Sequence, residues 1–323
     1  MRIPVYDSRM NGEIERNQSA TSWRARFVRE ITSWYLGLAG SGSVDVLSAR
    51  KRLDFFAGMV PSASGVSVQK ETIAGLKTEW LTPKGAPDDK LLLYWHGGGY
   101  VMGSCASHRS FVSHMAREGG VRALVPEYRL APEHPYPAAV EDSVNLYRAL
   151  LEQGYEPANI AVAGDSAGGG LTVAMSLSLR DSGDPLPGAV GLLSPLLDLS
   201  WQGESIITRK DRDPWFTPAH LLHVSKNYCD DTEITHPLVS PVFADASGLP
   251  PTLIQVGNDE LLLSDSERFA ANMRASGGEV EIDVWPGMWH VWQMFIGLMP
   301  ESRQAVEKLG EFIRHSVGDR VGE

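Results

Sequence analysis

The stretch that decides the fold is Ala161-Val162-Ala163-Gly164-Asp165-Ser166-Ala167-Gly168-Gly169-Gly170. The short apolar run at residues 159–163 predicts a buried strand, and the helix formers at residues 171–179 predict a helix. Between them Gly164, Ser166 and Gly168 form a G-x-S-x-G pattern, which in a strand–turn–helix context is typical of the nucleophile elbow of serine hydrolases. The glycines leave room for a sharp, strained turn that exposes the serine hydroxyl at the carboxyl end of the strand.

The bare pattern also has a simpler explanation. Glycine fills 32 of the 323 positions, so a glycine-rich loop before a helix can contain G-x-S-x-G by chance. The flanking strand and helix favour the elbow, and so do reactive groups that follow later in the chain. The elbow interpretation of Ser166 therefore depends on finding its partners.

Composition restricts the protein to a globular class. The chain is 43% hydrophobic and 21% charged, so it can bury a large core as one large α/β domain or two smaller ones. A net charge of −11 argues against a nucleic-acid partner, since a phosphate-binding surface needs a basic face. Cys105 and Cys229 are interpreted as free thiols of a reducing compartment, with one disulfide as the alternative.

The N-terminal residues do not resemble a targeting segment. Residues 1–20 mix charged, amide and proline residues without the apolar run of a secretory signal peptide, and we expect them to be loosely held. No stretch approaches the about 20 uninterrupted apolar residues that a membrane-spanning helix needs. These features predict a soluble cytoplasmic protein with neither a membrane nor a nucleic acid as partner.

Strands and helices alternate from residue 91 to the end of the chain. Strands are predicted at residues 91–95, 123–126, 159–163, 189–193, 252–256 and, with an alternating pattern, 280–284. Helices are predicted at residues 108–118, 139–153, 171–179, 218–228, 265–275 and, as one helix or a pair, 290–315. This alternation is typical of an α/β protein with a mostly parallel sheet and helices on both faces. A hairpin at residues 66–73 and 77–82 leads into it.

Two apolar-faced helices precede the first strand. They are predicted at residues 21–36 and 44–59. The first carries large apolar residues at helical spacing: Trp23, Phe27, Ile31, Trp34 and Tyr35. Such helices need a surface to cover, and the sequence leaves open whether they form a lid over a binding cleft or additional packing for the core.

A glycine loop follows the strand at residues 91–95. In His96-Gly97-Gly98-Gly99 the consecutive glycines allow backbone N–H groups to turn toward a ligand. The tetrahedral intermediate of acyl transfer carries an oxyanion that needs such donors. We assign Gly98 and Gly99 to an oxyanion hole, together with the N–H of Ala167 after the nucleophile; a flexible glycine turn is the alternative.

Two further loops carry the other groups that an activated serine requires. Asp259 and Glu260 follow the strand at residues 252–256, and either carboxylate can orient a base and stabilise its imidazolium form. His290 follows the strand at residues 280–284 and is the candidate general base, because it completes the order serine, acid, histidine of α/β-hydrolases. The other histidines are interpreted as structural or surface residues, and none shows a metal-ligand spacing.

Together these segments resemble the hormone-sensitive-lipase-like branch of α/β-hydrolase esterases. Four matches carry the resemblance from residue 66 to the end: His96-Gly97-Gly98-Gly99, Tyr128-Arg129-Leu130-Ala131-Pro132-Glu133, Gly164-Asp165-Ser166-Ala167-Gly168, and the acid and histidine segments in their order. The resemblance implies an α/β-hydrolase fold in which residues 1–65 form the N-terminal part of a helical cap. Residues 66–323 would form the catalytic domain, with a cap-side insertion around residues 200–235.

The resemblance also implies roles for individual residues. By position, Ser166 corresponds to the nucleophile and His290 to the base, and the oxyanion donors are Gly98, Gly99 and Ala167.

The acid follows a different pattern from that of many relatives, which have Asp-Pro-Leu-x-Asp. Alignment backward from the following helix places Glu260 on the first of those aspartates. Glu260 also lies 30 positions before His290, similar to the spacing in the family. We therefore assign Glu260, rather than Asp259, as the triad acid.

The activity that the resemblance implies is hydrolysis of short-chain acyl esters by a serine carboxylesterase, through an acyl-enzyme intermediate and without a metal or cofactor. A lactone hydrolase or deacetylase would use the same groups. A non-catalytic small-molecule receptor is a third alternative, although such receptors typically lose the histidine that this chain keeps. Homodimers are frequent among similar proteins. Four tryptophans either line the substrate pocket or pack in the core: Trp201, Trp215, Trp289 and Trp292.

Overall fold

The computed structural model describes residues 15–16, 21–39, 46–58, 60–215 and 217–318, and within them nine strands form one sheet. The strands are β1 (Glu15–Arg16), β2 (Val66–Ile73), β3 (Leu76–Pro83), β4 (Leu91–Trp95), β5 (Arg122–Pro126), β6 (Ile160–Asp165), β7 (Ala189–Leu193), β8 (Thr252–Gly257) and β9 (Val280–Trp285). Their order across the sheet is β1-β9-β8-β7-β6-β4-β5-β3-β2. Neighbours are parallel, except that β3 runs antiparallel to β2 and β5. The predicted mostly parallel sheet, entered by a hairpin, is confirmed.

Helices connect these strands. They are α1 (Trp23–Ala39), α2 (Val46–Gly58), α3 (Cys105–Gly119), α4 (Ala138–Glu152), α5 (Ala167–Ser182), α6 (Ser205–Thr208), α7 (Pro218–Tyr228), α8 (Leu263–Ala275) and α9 (Pro300–Gly318). Short 3₁₀ turns lie at Pro157–Asn159, Pro241–Phe243 and Trp292–Phe295. None of the described helices is both long enough and apolar enough to cross a bilayer.

The side chains of the central strand β4 show why helices cover both faces of the sheet. Every residue of β4 is buried, and alternate side chains enter two separate apolar clusters. Leu92 joins the cluster of Phe111 and Leu309 from α3 and α9, whereas Leu93 joins that of Leu171 from α5. A strand that is apolar on both sides needs a helical layer on each side, which places this sheet in the middle of three layers.

α5 begins directly after the serine. Its first residue is Ala167, whereas the pattern of helix formers predicts a start at residue 171. Glycine has low helix propensity, so propensity alone puts the start beyond Gly170. The absence of a side chain is required here, because a Cβ on Gly170 would overlap the carbonyl oxygen of Leu196. Tight packing against the main chain therefore overrides local propensity in this turn.

α1 buries small residues rather than its large apolar stripe, contrary to the expectation from its spacing. The buried positions are Ala25, Val28 and Thr32. Side chains that are about half exposed or more are Trp23, Phe27 and Ile31. The reason is that α1 packs on a bulky cluster around Trp289 and Trp292, where small side chains fit. The side chains of Trp34 and Tyr35, and residues 1–14 and 17–20, lie outside the described part of the chain.

The region predicted as a final helix or pair of helices is divided. Residues Trp292–Phe295 form a 3₁₀ turn and α9 begins at Pro300, a residue that favours the first helical turn. His290 precedes both helical segments. It therefore belongs to the loop that leaves β9, at the carboxyl edge of the sheet.

Candidate active site

Ser166 lies in the turn between β6 and α5 with a strained backbone, at φ 51° and ψ −120°. Its N–H donates to the carbonyl oxygen of Leu193 at the end of β7, over 2.9 Å. Its own carbonyl oxygen accepts from the N–H groups of Gly170 at 3.1 Å and Leu196 at 2.9 Å. A non-glycine residue holds such a φ only when surrounding contacts enforce it, and these three hydrogen bonds do so.

The two glycines of the elbow have a steric reason. A Cβ on Gly168 would overlap the carbonyl oxygen of Trp95, and one on Gly164 would overlap the main chain of Gly168. The first turn of α5 thus touches the end of β4 directly. This close approach brings the turn of Ser166 beside the glycine loop that leaves β4.

The glycine loop adopts backbone conformations that favour glycine. Gly98 and Gly99 have φ values of 119° and 62°. A Cβ on Gly98 would overlap the carbonyl oxygen of Met102, and one on Gly99 would lie 2.7 Å from a methyl group of Val224 on α7. The predicted oxyanion residues therefore occupy a folded turn, which the helix α7 covers.

Asp165 connects this loop to the elbow and was not singled out by sequence reasoning. Its Oδ1 accepts the N–H of Gly97 at 3.0 Å and the hydroxyl of Tyr94 at 2.8 Å, and lies 3.3 Å from Nε2 of His108. Burial raises the pKa of Asp165, but His108 and the hydrogen bonds outweigh this effect, so its pKa is lowered overall. The available signal was its place beside the serine in G-x-S-x-G.

His96 has a structural place in the same loop. Its ring stacks on Tyr128, with ring centroids 4.3 Å apart, and the Tyr128 hydroxyl donates to the His96 carbonyl oxygen at 2.8 Å. Burial, aided by neighbouring His108, lowers the pKa of His96 to about 3. A neutral, stacked imidazole is consistent with the structural role expected for it.

The loops that follow β8 and β9 are held against each other. The strands pair in parallel, with Gly257 opposite Trp285. The N–H of Asp259 donates to the carbonyl oxygen of Met288 at 2.9 Å, and a Cβ on Gly257 would overlap that same oxygen. The acid loop and the histidine loop therefore form one packed unit.

Glu260 and His290 face each other within this unit. Oε2 of Glu260 lies 3.3 Å from Nδ1 of His290, and the two side chains are almost fully buried. Oε1 of Glu260 accepts the N–H of Gly257 at 3.3 Å. Asp259 points elsewhere, with Oδ2 lying 2.6 Å from Nη1 of Arg29. Of the two neighbouring carboxylates, the structure brings Glu260 to the imidazole.

Ser194 anchors the histidine loop to the centre of the sheet. Its hydroxyl accepts the N–H of Val291 at 3.0 Å. Val291 has a φ of 50°, an unusual conformation for a β-branched residue, so this bond holds a strained backbone next to His290. Ser194 follows Leu193, which accepts the N–H of Ser166. Adjacent residues at the end of β7 therefore fasten both the serine turn and the histidine loop.

A second buried carboxylate, Asp213, lies beside the acid loop. Its Oδ1 accepts the N–H of Trp215 at 2.8 Å, and its Oδ2 accepts the N–H of Leu261 at 3.2 Å. Burial raises the pKa of Asp213 to about 6; nearby His290 opposes this shift and Glu260 adds to it. Sequence reasoning did not single out Asp213, whose partner Leu261 lies 48 positions away in the chain.

The four tryptophans differ in burial. Trp289 and Trp292 are fully buried in a cluster with Trp285, so they pack in the core. Trp201 and Trp215 are half-buried. Among the described residues no group of three or more His, Cys, Asp or Glu side chains is arranged to hold a metal ion, and the two cysteines are buried free thiols.

Comparison with known proteins relates this geometry to a family. A family described as having the alpha/beta hydrolase fold matches residues 92–294. An acetyl-hydrolase of Streptomyces hygroscopicus is 43% identical over 77% of this chain and 83% of its own length. An esterase of Acinetobacter venetianus is 33% identical over 90% of this chain and 96% of its own length.

Solved structures of esterases are also similar to this chain. A crystal structure of an esterase from the bacterial hormone-sensitive lipase family has a TM-score of 0.88 at 40% identity, and the match covers 93% of this chain and all of the other. The esterase EstE5, in a crystal soaked with p-nitrophenyl butyrate, has a TM-score of 0.87 at 38% identity, over 92% of this chain and all of the other.

The raised pKa of Asp213 makes a testable contribution to the pH dependence of stability. A carboxyl that binds its proton more tightly in the folded state stabilises the fold at low pH, and this stabilisation is lost as the pH rises through the folded pKa of about 6. Asp213→Asn cannot titrate. We therefore expect the free energy of unfolding of this variant, relative to the unmodified protein, to increase by about 1.5 kcal/mol between pH 5 and 7.5, measured by urea denaturation.

The matched control is Asp211→Asn, an exposed aspartate two residues earlier in the same loop. Its stability difference from the unmodified protein should stay nearly constant over this pH range. A constant difference for Asp213→Asn as well would contradict the assigned burial of its charge.

Proposed function

This chain belongs to the α/β-hydrolase family, among the hormone-sensitive-lipase-like esterases, and we propose that it is a serine carboxylesterase that hydrolyses short-chain acyl esters through an acyl-enzyme intermediate. Ester hydrolysis follows from the family. The observation that carries the catalytic proposal is the buried pair of Glu260 and His290, 3.3 Å apart. Their loops are hydrogen-bonded to each other, and the histidine loop is fastened to the strand end that also holds Ser166.

In the first step, Ser166 is the nucleophile. His290 takes its proton as the hydroxyl oxygen attacks the ester carbonyl carbon, and Glu260 orients the imidazole and stabilises the imidazolium that forms. His290 then donates the proton to the departing alcohol, which leaves the acyl group on Ser166. Water repeats the sequence with His290 as base and releases the acid.

The oxyanion that forms in each step needs preorganised donors. Ala167 is the first residue of α5, and helix geometry leaves its N–H without an intrahelical acceptor at the positive end of the helix dipole. Gly98 and Gly99 follow the adjacent strand end, and the hydrogen bond from Gly97 to Asp165 holds their loop to the elbow. We assign the oxyanion hole to these three N–H groups.

The acyl group is proposed to be small. The Streptomyces relative is named an acetyl-hydrolase, and p-nitrophenyl butyrate, the ester soaked into the EstE5 crystal, carries a butyryl group. The same name supports a second candidate, in which the natural substrate is an acetylated molecule and the enzyme acts as a deacetylase with the same groups. The helices α1 and α2 and the described residues of the insertion around 200–235 are assigned to a cap over the site, whereas β1 belongs to the sheet.

Replacement of the nucleophile tests the mechanism directly. Ser166→Ala should lower kcat for p-nitrophenyl butyrate by about 10³-fold or more, because no oxygen remains to form the acyl-enzyme. The variant should also lose covalent labelling by a fluorophosphonate. Ser182→Ala, at an exposed serine of the same helix, is the control and should behave like the unmodified protein. Retained turnover and labelling in Ser166→Ala would refute the assignment.

The choice between the two neighbouring acids gives a ranking. Glu260→Ala should lower kcat by about 10³- to 10⁴-fold, because the imidazole loses its carboxylate partner. Asp259→Ala should lower it by roughly tenfold at most, since its carboxylate is turned away from His290. Initial rates and circular dichroism on both purified variants give the comparison. The reverse ranking would move the triad acid to Asp259.

A further inference from the structure

We propose that Arg29, on the N-terminal helix α1, is a positioning residue that holds the loops of Glu260 and His290 in their catalytic arrangement. This inference rests on the proposed function. It gives α1 a role in the active site. Arg29 acts there through neighbours of the catalytic residues, namely Asp259, Gly287 and Arg212.

The guanidinium of Arg29 contacts three separate segments. Its Nη1 lies 2.6 Å from Oδ2 of Asp259, the residue before Glu260. The same nitrogen lies 3.5 Å from the carbonyl oxygen of Gly287, in the turn that leads to His290. Its Nη2 donates to the carbonyl oxygen of Arg212, the residue before Asp213. One planar cation therefore joins the acid loop, the histidine loop and the loop of the second buried carboxylate.

The ion pair of Arg29 with Asp259 is partly shielded from water. The side chain of Arg29 is 25% exposed and that of Asp259 is 13% exposed. Charge-assisted hydrogen bonds to a mostly desolvated carboxylate are stronger than exposed ion pairs, which contribute little. The second oxygen of Asp259 lies 3.4 Å from Nη1 of Arg212, so both oxygens of this carboxylate are engaged.

α1 is fixed in the position that places Arg29 there. At its start, the N–H and hydroxyl of Ser22 donate to the carboxylate of Glu301 at 2.6 and 3.0 Å. Thr21 donates to the carbonyl oxygen of Pro286 at 3.2 Å, again in the turn before His290. Further along, Ala25 and Val28 join the aromatic cluster around Trp289. These anchors make the arginine a preorganised part of the site.

The physical consequence concerns kcat more than substrate binding. Asp259 and Gly287 lie one and three residues from the catalytic acid and base, so a shift of either loop changes the alignment of imidazole and carboxylate. A misplacement of about 1 Å in a catalytic arrangement costs about 10²-fold in rate. Without Arg29, we expect the two loops to sample such displacements, while groups that bind the substrate stay in place.

The test replaces the charged guanidinium of Arg29 by a shorter, neutral amide. Arg29→Gln should lower kcat for p-nitrophenyl butyrate by about 10- to 100-fold, with KM changed less than about threefold. Arg26→Gln, at an exposed position one turn earlier on the same helix, is the matched control and should keep the original kcat. Fluorophosphonate titration gives the concentration of intact active sites, so that a partly unfolded preparation is not mistaken for a slow one.

A double-mutant cycle separates positioning from general stabilisation. Asp259→Asn alone should lower kcat by up to about tenfold, since Arg29 keeps its contacts to Gly287 and Arg212. The double variant with Arg29→Gln should be no slower than Arg29→Gln alone, because the arginine variant already removes the contact with Asp259. Arg29→Lys, which keeps the charge but not the fork, should recover part of the loss. If Arg29→Gln does not fold, the lysine variant and Asp259→Asn provide the same test.

The inference fails if Arg29→Gln keeps the original kcat per active site, or if the losses of the two single variants multiply in the double variant. Failure of the proposed function looks different, since Ser166→Ala would then retain its turnover. An inactive Ser166→Ala together with a fully active Arg29→Gln would leave the esterase mechanism intact and remove the role of α1.

Discussion

The proposed catalytic arrangement depends on one steric constraint, the direct contact between the first turn of α5 and the end of β4. Because Gly168 lies against the carbonyl oxygen of Trp95, the serine turn and the glycine loop leave neighbouring strands at the same place. The contact needs glycine and leaves Ser166 in a strained conformation. Asp165 completes the junction by accepting the N–H of Gly97, so the proposed nucleophile and oxyanion loop form one rigid element.

The end of β7 joins this element to the acid and base. Leu193 accepts the N–H of the serine turn through its carbonyl oxygen, and the hydroxyl of Ser194 accepts the N–H of Val291 after the histidine. β7 lies between β6 and β8, so it is the strand through which the two halves of the site are related. The candidate catalytic side chains therefore lie on loops. The separation of these loops is set by the strands that they follow, which are spaced about 4.8 Å apart.

The two N-terminal helices fasten different parts of the site from outside the sheet. Arg29 of α1 contacts the acid and histidine loops through Asp259 and Gly287. Arg50 of α2 donates to the carbonyl oxygen of Val101, just beyond the glycine loop, at 2.6 Å, and is paired with Glu133. Helices attached in this way restrain the loops that they contact.

Chain order and local pattern were enough to predict the alternation of strands and helices, the elbow, and a carboxylate from Asp259 or Glu260 as partner of His290, because each depends on residues close in sequence or on an order that parallel strands impose. The choice of Glu260 over Asp259 came from the family resemblance, and the structure places Glu260 beside the imidazole. Sequence reasoning missed Asp213, Ser194 and Arg29, whose partners lie 48, 97 and 230 positions away. Sequence reasoning also gave the wrong buried face for α1, since the sequence of a helix does not specify the shape of the surface on which the helix packs. The sequence by itself thus determined which groups are the candidates for the chemistry. Only the tertiary structure decided which side chains hold them in place, because such contacts are made between segments that packing alone brings together.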